Sequence, residues 1–385
     1  MISKRMFIKP PHQRHRLLGI ILLAMLITVC PATAGDGYEE ITGPCHLAFP
    51  KDHGPHPAYR TEWWYYTGNL TDAHGHRFGF QLTFFRSALK PPTNRDKWPK
   101  PASDWRTDQI YLAHAALTDI DCGRHLQAEQ TARAALSLAG ADQTDSTTTI
   151  HLNTWQAIIK PGNHHLSANT ADFSFDLNLA PAKPPVAHGD CGYSRKGQSP
   201  EQSSCYYSFT RLEATGHLTV ADKRYTVQGT AWMDHEFSSA PLAPGIAGWD
   251  WFSIQLDDQR DVMLYLMRQT DGTMNPASSG TIVLPSGRTR HLKLDELQIK
   301  PLAYWTSPNS GARYPVKWRV SITCLAMDLT IEANLENQEM RTPQSTDVIY
   351  WEGSVKAKGT QGDATVSGAG YVELTGYAKP FDAPM

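Results

Sequence analysis

His76-Arg77-Phe78-Gly79-Phe80-Gln81-Leu82-Thr83-Phe84 puts a large apolar residue on every second position. Successive side chains of an extended chain point to opposite faces, so this stretch reads as a half-buried β-strand. Upstream, Glu62 to Leu70 is aromatic and extended, and Thr71-Asp72-Ala73-His74-Gly75 is turn chemistry. Together they predict a hairpin. Trp251 to Leu256, the polar Asp257-Asp258-Gln259 and Val262 to Met267 predict another. Helical signals are few. Thr131 to Ala139 suits a short helix or, equally, a small-residue strand and loop.

The two hairpins echo one another. Glu62-Trp63-Trp64 opens the first, which ends at Phe84-Phe85-Arg86; Asp250-Trp251-Phe252 opens the second, which ends at Leu266-Met267-Arg268. An Asp-His pair precedes each, Asp52-His53 and Asp234-His235. A second echo matches Val227-Gln228-Gly229-Thr230-Ala231-Trp232-Met233-Asp234 with Val366-Ser367-Gly368-Ala369-Gly370-Tyr371-Val372-Glu373, in Val-x-Gly spacing, aromatic and acid. Ordered repetition of this kind predicts two related all-β units in tandem, 35–240 and 241–385, joined near the Ser/Pro/Ala/Gly-rich Ser238 to Gly248. Each is long enough for a closed barrel of about eight strands, which removes exposed edges and holds one small ligand. A pair of sandwiches fits the same pattern.

Residues 1–34 read as a cleaved signal peptide. Lys4, Arg5, Lys9, Arg14 and Arg16 precede an apolar run from Leu17 to Val29, and Ala32-Thr33-Ala34 supplies the small-x-small cleavage pattern. The run is shorter than the roughly 20 residues of a membrane span, so no stable span is expected after cleavage. Ile27-Thr28-Val29-Cys30 loosely resembles a lipobox, which would tether the chain at Cys30 instead of freeing it after Ala34. A periplasmic or secreted protein is expected. Losing the leader leaves 31 basic residues against 38 acidic ones, a formal −7. That balance excludes nucleic acid as a partner, because such binding needs a basic face. Cys45, Cys122, Cys191, Cys205 and Cys324 remain. In an oxidising compartment a local Cys191–Cys205 disulfide is expected across the Gly/Ser/Pro-rich loop between them.

Chemistry concentrates in Trp232-Met233-Asp234-His235-Glu236-Phe237. An imidazole between two carboxylates suits proton transfer. In a strand, Asp234 and Glu236 share one face and His235 takes the other, so either the acids or the imidazole faces a cavity. Glu62, Trp63, Tyr65, Trp249, Asp250, Trp251 and Tyr265 are the candidate cavity lining, flat apolar walls with acids at the mouth. Asp52, His53 and His56 lie in a Gly/Pro loop without a strong metal signature, and no metal is expected. GxSxG elbows, P-loops and dinucleotide glycine motifs are missing from the sequence, so no cofactor is expected.

Phe49-Pro50-Lys51-Asp52-His53-Gly54, Glu62-Trp63-Trp64-Tyr65-Tyr66-Thr67-Gly68-Asn69-Leu70, Trp232-Met233-Asp234-His235-Glu236, Gly248-Trp249-Asp250-Trp251-Phe252, Tyr350-Trp351-Glu352-Gly353 and Gly370-Tyr371-Val372-Glu373-Leu374-Thr375-Gly376-Tyr377 resemble, in order, the AttH-like predicted secreted hydrolases. That family is similar to carotenoid 1,2-hydratases of the CrtC type. The resemblance implies two lipocalin-like (calycin) β-barrel domains and acid/base hydrolysis or hydration of a hydrophobic molecule or lipid. Asp234, His235 and Glu236 would be catalytic. It also implies association with an ABC-type export permease, for which the chain would alternatively be a non-catalytic carrier or accessory protein. The hydratases carry Asp-His-Asn-Trp where this chain has Asp234, His235, Glu236 and Phe237. The missing Trp removes a π face able to stabilise a cation, which argues against a carotenoid substrate.

Overall fold

The computed structural model describes residues 37–240 and 242–380; the expected leader, with Cys30 and the expected cleavage after Ala34, lies outside the described residues. The chain is all-β, in two sheets with the same wiring. In the first, strand Thr61–Asp72 forms the expected hairpin with Arg77–Ala88 and pairs on its other side with the last strand, Lys223–Ser238. The intervening strands run as an antiparallel meander, broken between Arg124–Arg133 and Ala139–Thr144. Across that break Gln109–Asp119 and Arg124–Arg133 pack against Thr147–Leu152, so the sheet curls into a nearly closed barrel. Thr131 to Ala139 is therefore strand end and turn rather than helix, with Leu136 and Ser137 in left-handed conformation.

The second sheet repeats this plan. Ile246–Leu256 forms a hairpin with Asp261–Gln269 and pairs with the last strand, Ala364–Leu374. Its break lies between Thr289–Lys293 and Leu297–Thr306, and it curves into a half-barrel. The tandem echo is thus an echo of topology. Its glycines allow strands to approach: a Cβ on Gly229 would lie 2.0 Å from the Asn69 carbonyl oxygen, and one on Gly368 would lie 2.3 Å from that of Gln255.

Alternation fills each barrel. Trp64, Tyr66, Phe78, Phe80, Leu82 and Phe84 point into the first core; Phe252, Ile254, Leu264 and Trp318 point into the second. The opposite face of Arg77–Ala88 is buried as well, since Gln81 and Thr83 are 1% and 0% exposed. The half-buried expectation fails there because the second barrel covers that face. Tyr65, Tyr206, Trp232, Trp251, Met263 and Tyr371 pack between the barrels. Among the described residues no helix is long and apolar enough to cross a membrane.

The expected Cys191–Cys205 bridge does not form. Cys205 joins Cys45, and Cys191 is free and exposed. The strand pairing explains this. Tyr193 lies opposite Cys205, which leaves Cys191 beyond the strand end in a left-handed turn (φ 51°). The N-terminal segment crosses there, its Cys45 N–H donating to the Cys191 carbonyl (3.1 Å).

Candidate active site

The register decides which side chains leave the barrels. Trp63 lies opposite Glu236 and Tyr65 opposite Asp234; on the other neighbour, Tyr206 lies opposite Glu236 and Ser208 opposite Asp234. Directly paired residues share a face, so this set points out of the first barrel. In the second barrel Trp251 and Glu352 lie opposite Glu373, and Tyr265 lies opposite Trp251. The two faces enclose a cavity of about 200 Å³ between the barrels, with Asp234, Glu236, Glu352 and Glu373 on its wall.

These acids differ in environment. Asp234 accepts hydrogen bonds from Tyr206 Oη (2.8 Å), Trp232 Nε1 (2.6 Å) and Ser208 Oγ. Burial outweighs them and, with the charge of Glu236, pushes Asp234 up to about 7. Glu373 accepts from Trp249 Nε1 (2.7 Å); burial, then Asp234 and Glu236, push it up to about 7. Glu352 accepts from Tyr65 Oη (2.7 Å), and burial followed by Glu373 holds it well above the carboxylate range. Its Oε2 is buried without a partner. Glu236 accepts from Ser204 Oγ and forms an ion pair with Lys196 (2.8 Å). The Lys196 ammonium also lies 4.0 Å from the Tyr265 ring centroid and 5.3 Å from that of Tyr206.

Of the residues expected from sequence, Trp63, Tyr65, Asp234, Glu236, Trp249, Trp251 and Tyr265 meet here. His235 does not. It faces the first core, stacked on Trp64 (4.7 Å between centroids), with Nε2 2.8 Å from Glu62 Oε1 and Nδ1 3.1 Å from Tyr207 Oη. Strand alternation separates it from its acidic neighbours, so it is not placed to exchange a proton with a ligand in the cavity. Glu62 touches the cavity wall, but its carboxylate is held by His56, His235 and Arg86. Burial alone would raise its pKa; those partners outweigh it and hold the group far below the usual carboxylate range. Asp250 turns away from the cavity to Arg268 (2.8 Å) and Tyr377. Glu62–Arg86 and Asp250–Arg268 are therefore matching ion pairs, one in each repeat.

His56, Glu62 and His235 bring three metal-ligand atoms within 4.8 Å of one another. The atoms hydrogen-bond to each other, and Arg86 shares the same carboxylate, a poor neighbour for a cation. His53 stands apart, bonded to Tyr207 Oη. Glu352, Glu373, Tyr206 and Lys196 were missed as site residues. Glu373 had a signal: it occupies the place of Asp234 in the second echo.

The family model for AttH-like proteins matches residues 40–377. An AttH protein from Nitrosomonas europaea is similar in structure, with 33% identity, a TM-score of 0.77, and coverage of 88% of this chain and 99% of that one. Kievitone hydratase from Nectria haematococca shares the fold at 15% identity, with a TM-score of 0.65 and coverage of 89% and 98%. CghA, solved with Sch210972, shares it at 12% identity, with a TM-score of 0.53 and coverage of 90% and 98%. No curated protein matches the sequence. With its family model spanning nearly every described residue, the chain belongs to the AttH-like family.

Proposed function

We propose that the chain is a cofactor-independent acid/base enzyme that adds water to, or hydrolyses, an apolar lipid- or isoprenoid-like molecule held between the barrels. One observation carries this reading: buried carboxyls with raised pKa and an ion-paired carboxylate face the same aromatic cavity. Environments that divide acids in this way assign acid and base roles. Glu373 faces the cavity and, among the described residues, accepts from Trp249 Nε1 alone, so it hands its proton to the substrate. In hydration that proton forms a C–H bond at one alkene carbon. Water forms the C–O bond at the other and releases its proton to Glu236. Exchange with water returns the proton from Glu236 to Glu373, and the buried charge of Asp234 raises the hold of Glu373 on it. Trp63, Trp249 and Trp251 shield the positive charge that develops on carbon.

The kinship with a hydratase fold supports the reaction class, and the signal-like pattern of residues 1–34 supports action outside the cytoplasm. The enclosed apolar wall also suits a carrier serving an ABC-type export permease. Purified mature protein incubated with apolar alkenes and esters in ¹⁸O-water separates the readings. Incorporation of ¹⁸O that falls about 10²–10⁴-fold in Glu373→Gln and Asp234→Asn supports the enzyme. Equal turnover in all three proteins sinks the assignment, and saturable binding without turnover favours the carrier.

A further inference from the structure

Charge at the cavity wall is unbalanced. Lys196 is paired with Glu236 and Arg86 with Glu62. Among the described residues no Lys, Arg or His forms an ion pair with Asp234, Glu352 or Glu373; their hydrogen-bond donors there are hydroxyls and indoles. Glu352 is 0% exposed, belongs to the cavity wall, and leaves Oε2 without any donor. A buried carboxyl oxygen without a donor is costly unless something supplies one or a countercharge. The wall also carries the rings of Trp63, Tyr65, Trp249, Trp251, Tyr265 and Tyr350. Lys196 shows how these rings receive a cation: its ammonium already sits over Tyr265 and Tyr206.

We infer that the cavity binds an apolar organic cation, a quaternary or tertiary ammonium on a small hydrocarbon body. Aromatic faces attract such a group without requiring hydrogen bonds from it, and Asp234 and Glu373, ionised above about 7 and without a cationic partner, supply its countercharge, while a bound cation favours the ionised form of Glu352. A cavity of about 200 Å³ suits a compact body. This binding does not depend on the reaction proposed above. If that reaction holds, the ammonium mimics the cation formed on protonating an alkene.

The test is a charge series of one shape, titrated at pH 8 and followed by tryptophan fluorescence: benzyltrimethylammonium, its neutral isostere neopentylbenzene, and benzenesulfonate as the anion. The ammonium is expected to bind at least tenfold tighter than the isostere, with no saturable response to the anion. Glu352→Gln and Glu373→Gln should each weaken the ammonium about fivefold or more and leave the isostere unchanged. Circular dichroism establishes that the variants fold, and the series on the unaltered protein stands without them. Isostere binding as tight as the ammonium, or no saturable ammonium binding, overturns the inference. Neither outcome bears on ¹⁸O incorporation, and absence of turnover does not bear on ammonium binding.

Discussion

At the scale of the residue, Glu373 and Asp234 control the dependence on pH. Each is pushed up to about 7, chiefly by burial. A reaction that needs the protonated acid should run at full rate below that value. It should fall about tenfold per unit above it, measured as kcat/KM between pH 5 and 9. Stability follows the same sign. A carboxyl whose folded pKa exceeds its unfolded value binds more protons when folded. Its favourable contribution is complete near pH 4 and is lost as pH rises to 7. Glu373→Gln keeps that position neutral. Denaturant unfolding should find the variant more stable than the parent at pH 8, by up to about 3 kcal/mol, and equal to it near pH 4. Part of this chemistry was legible in the sequence. Alternation alone requires Asp234 and Glu236 to share a face and His235 to take the other. Which face meets the ligand depends on a second barrel whose contacts are far apart in the chain.

At the scale of the element, the hairpins were legible because alternation is a local property. Trp64 and Phe84 do lie opposite one another in the first barrel. The disulfide was not legible. Proximity in sequence favoured Cys191–Cys205, yet the bridge spans 160 residues to Cys45 because short-strand pairing carries Cys191 past the end of the sheet. Peptide mapping without reductant should therefore recover Cys45 joined to Cys205. Iodoacetamide should label Cys191 in the native protein, since it is exposed. A bridge between distant positions restrains the unfolded chain. Replacing Cys45 and Cys205 together by Ser should cost about 2–5 kcal/mol in denaturant unfolding. A linked Cys191 peptide would contradict this strand pairing.

At the scale of the whole molecule, the cavity exists only while the barrels stay docked, and Asp261 is a buried ionic tie between them. Its buried carboxylate lies 2.6 Å from Lys183 Nζ and 2.6 Å from Arg211 Nη2, and accepts from Thr210 Oγ1 at 2.9 Å. All three partners come from the first barrel's part of the chain, whereas Asp261 opens a strand of the second. Nothing local distinguishes it from the neighbouring Asp257 and Asp258, so its role was illegible in the sequence. Gln81 and Thr83, read as solvent-facing, are buried by the same docking. Asp261→Asn keeps the size but leaves two buried cations without their counterion. That should cost about 3–5 kcal/mol. Glu332→Gln, which loses only the surface pairs to Lys317 and Lys356, should cost less than about 1 kcal/mol. Calorimetry should show the Asp261→Asn transition lowered or split in two, and tryptophan fluorescence should show ligand binding weakened, because both barrels contribute to the wall. An unchanged transition together with unchanged binding would mean that the aromatic contacts around Tyr65, Tyr206 and Trp251 dock the barrels without this ion pair.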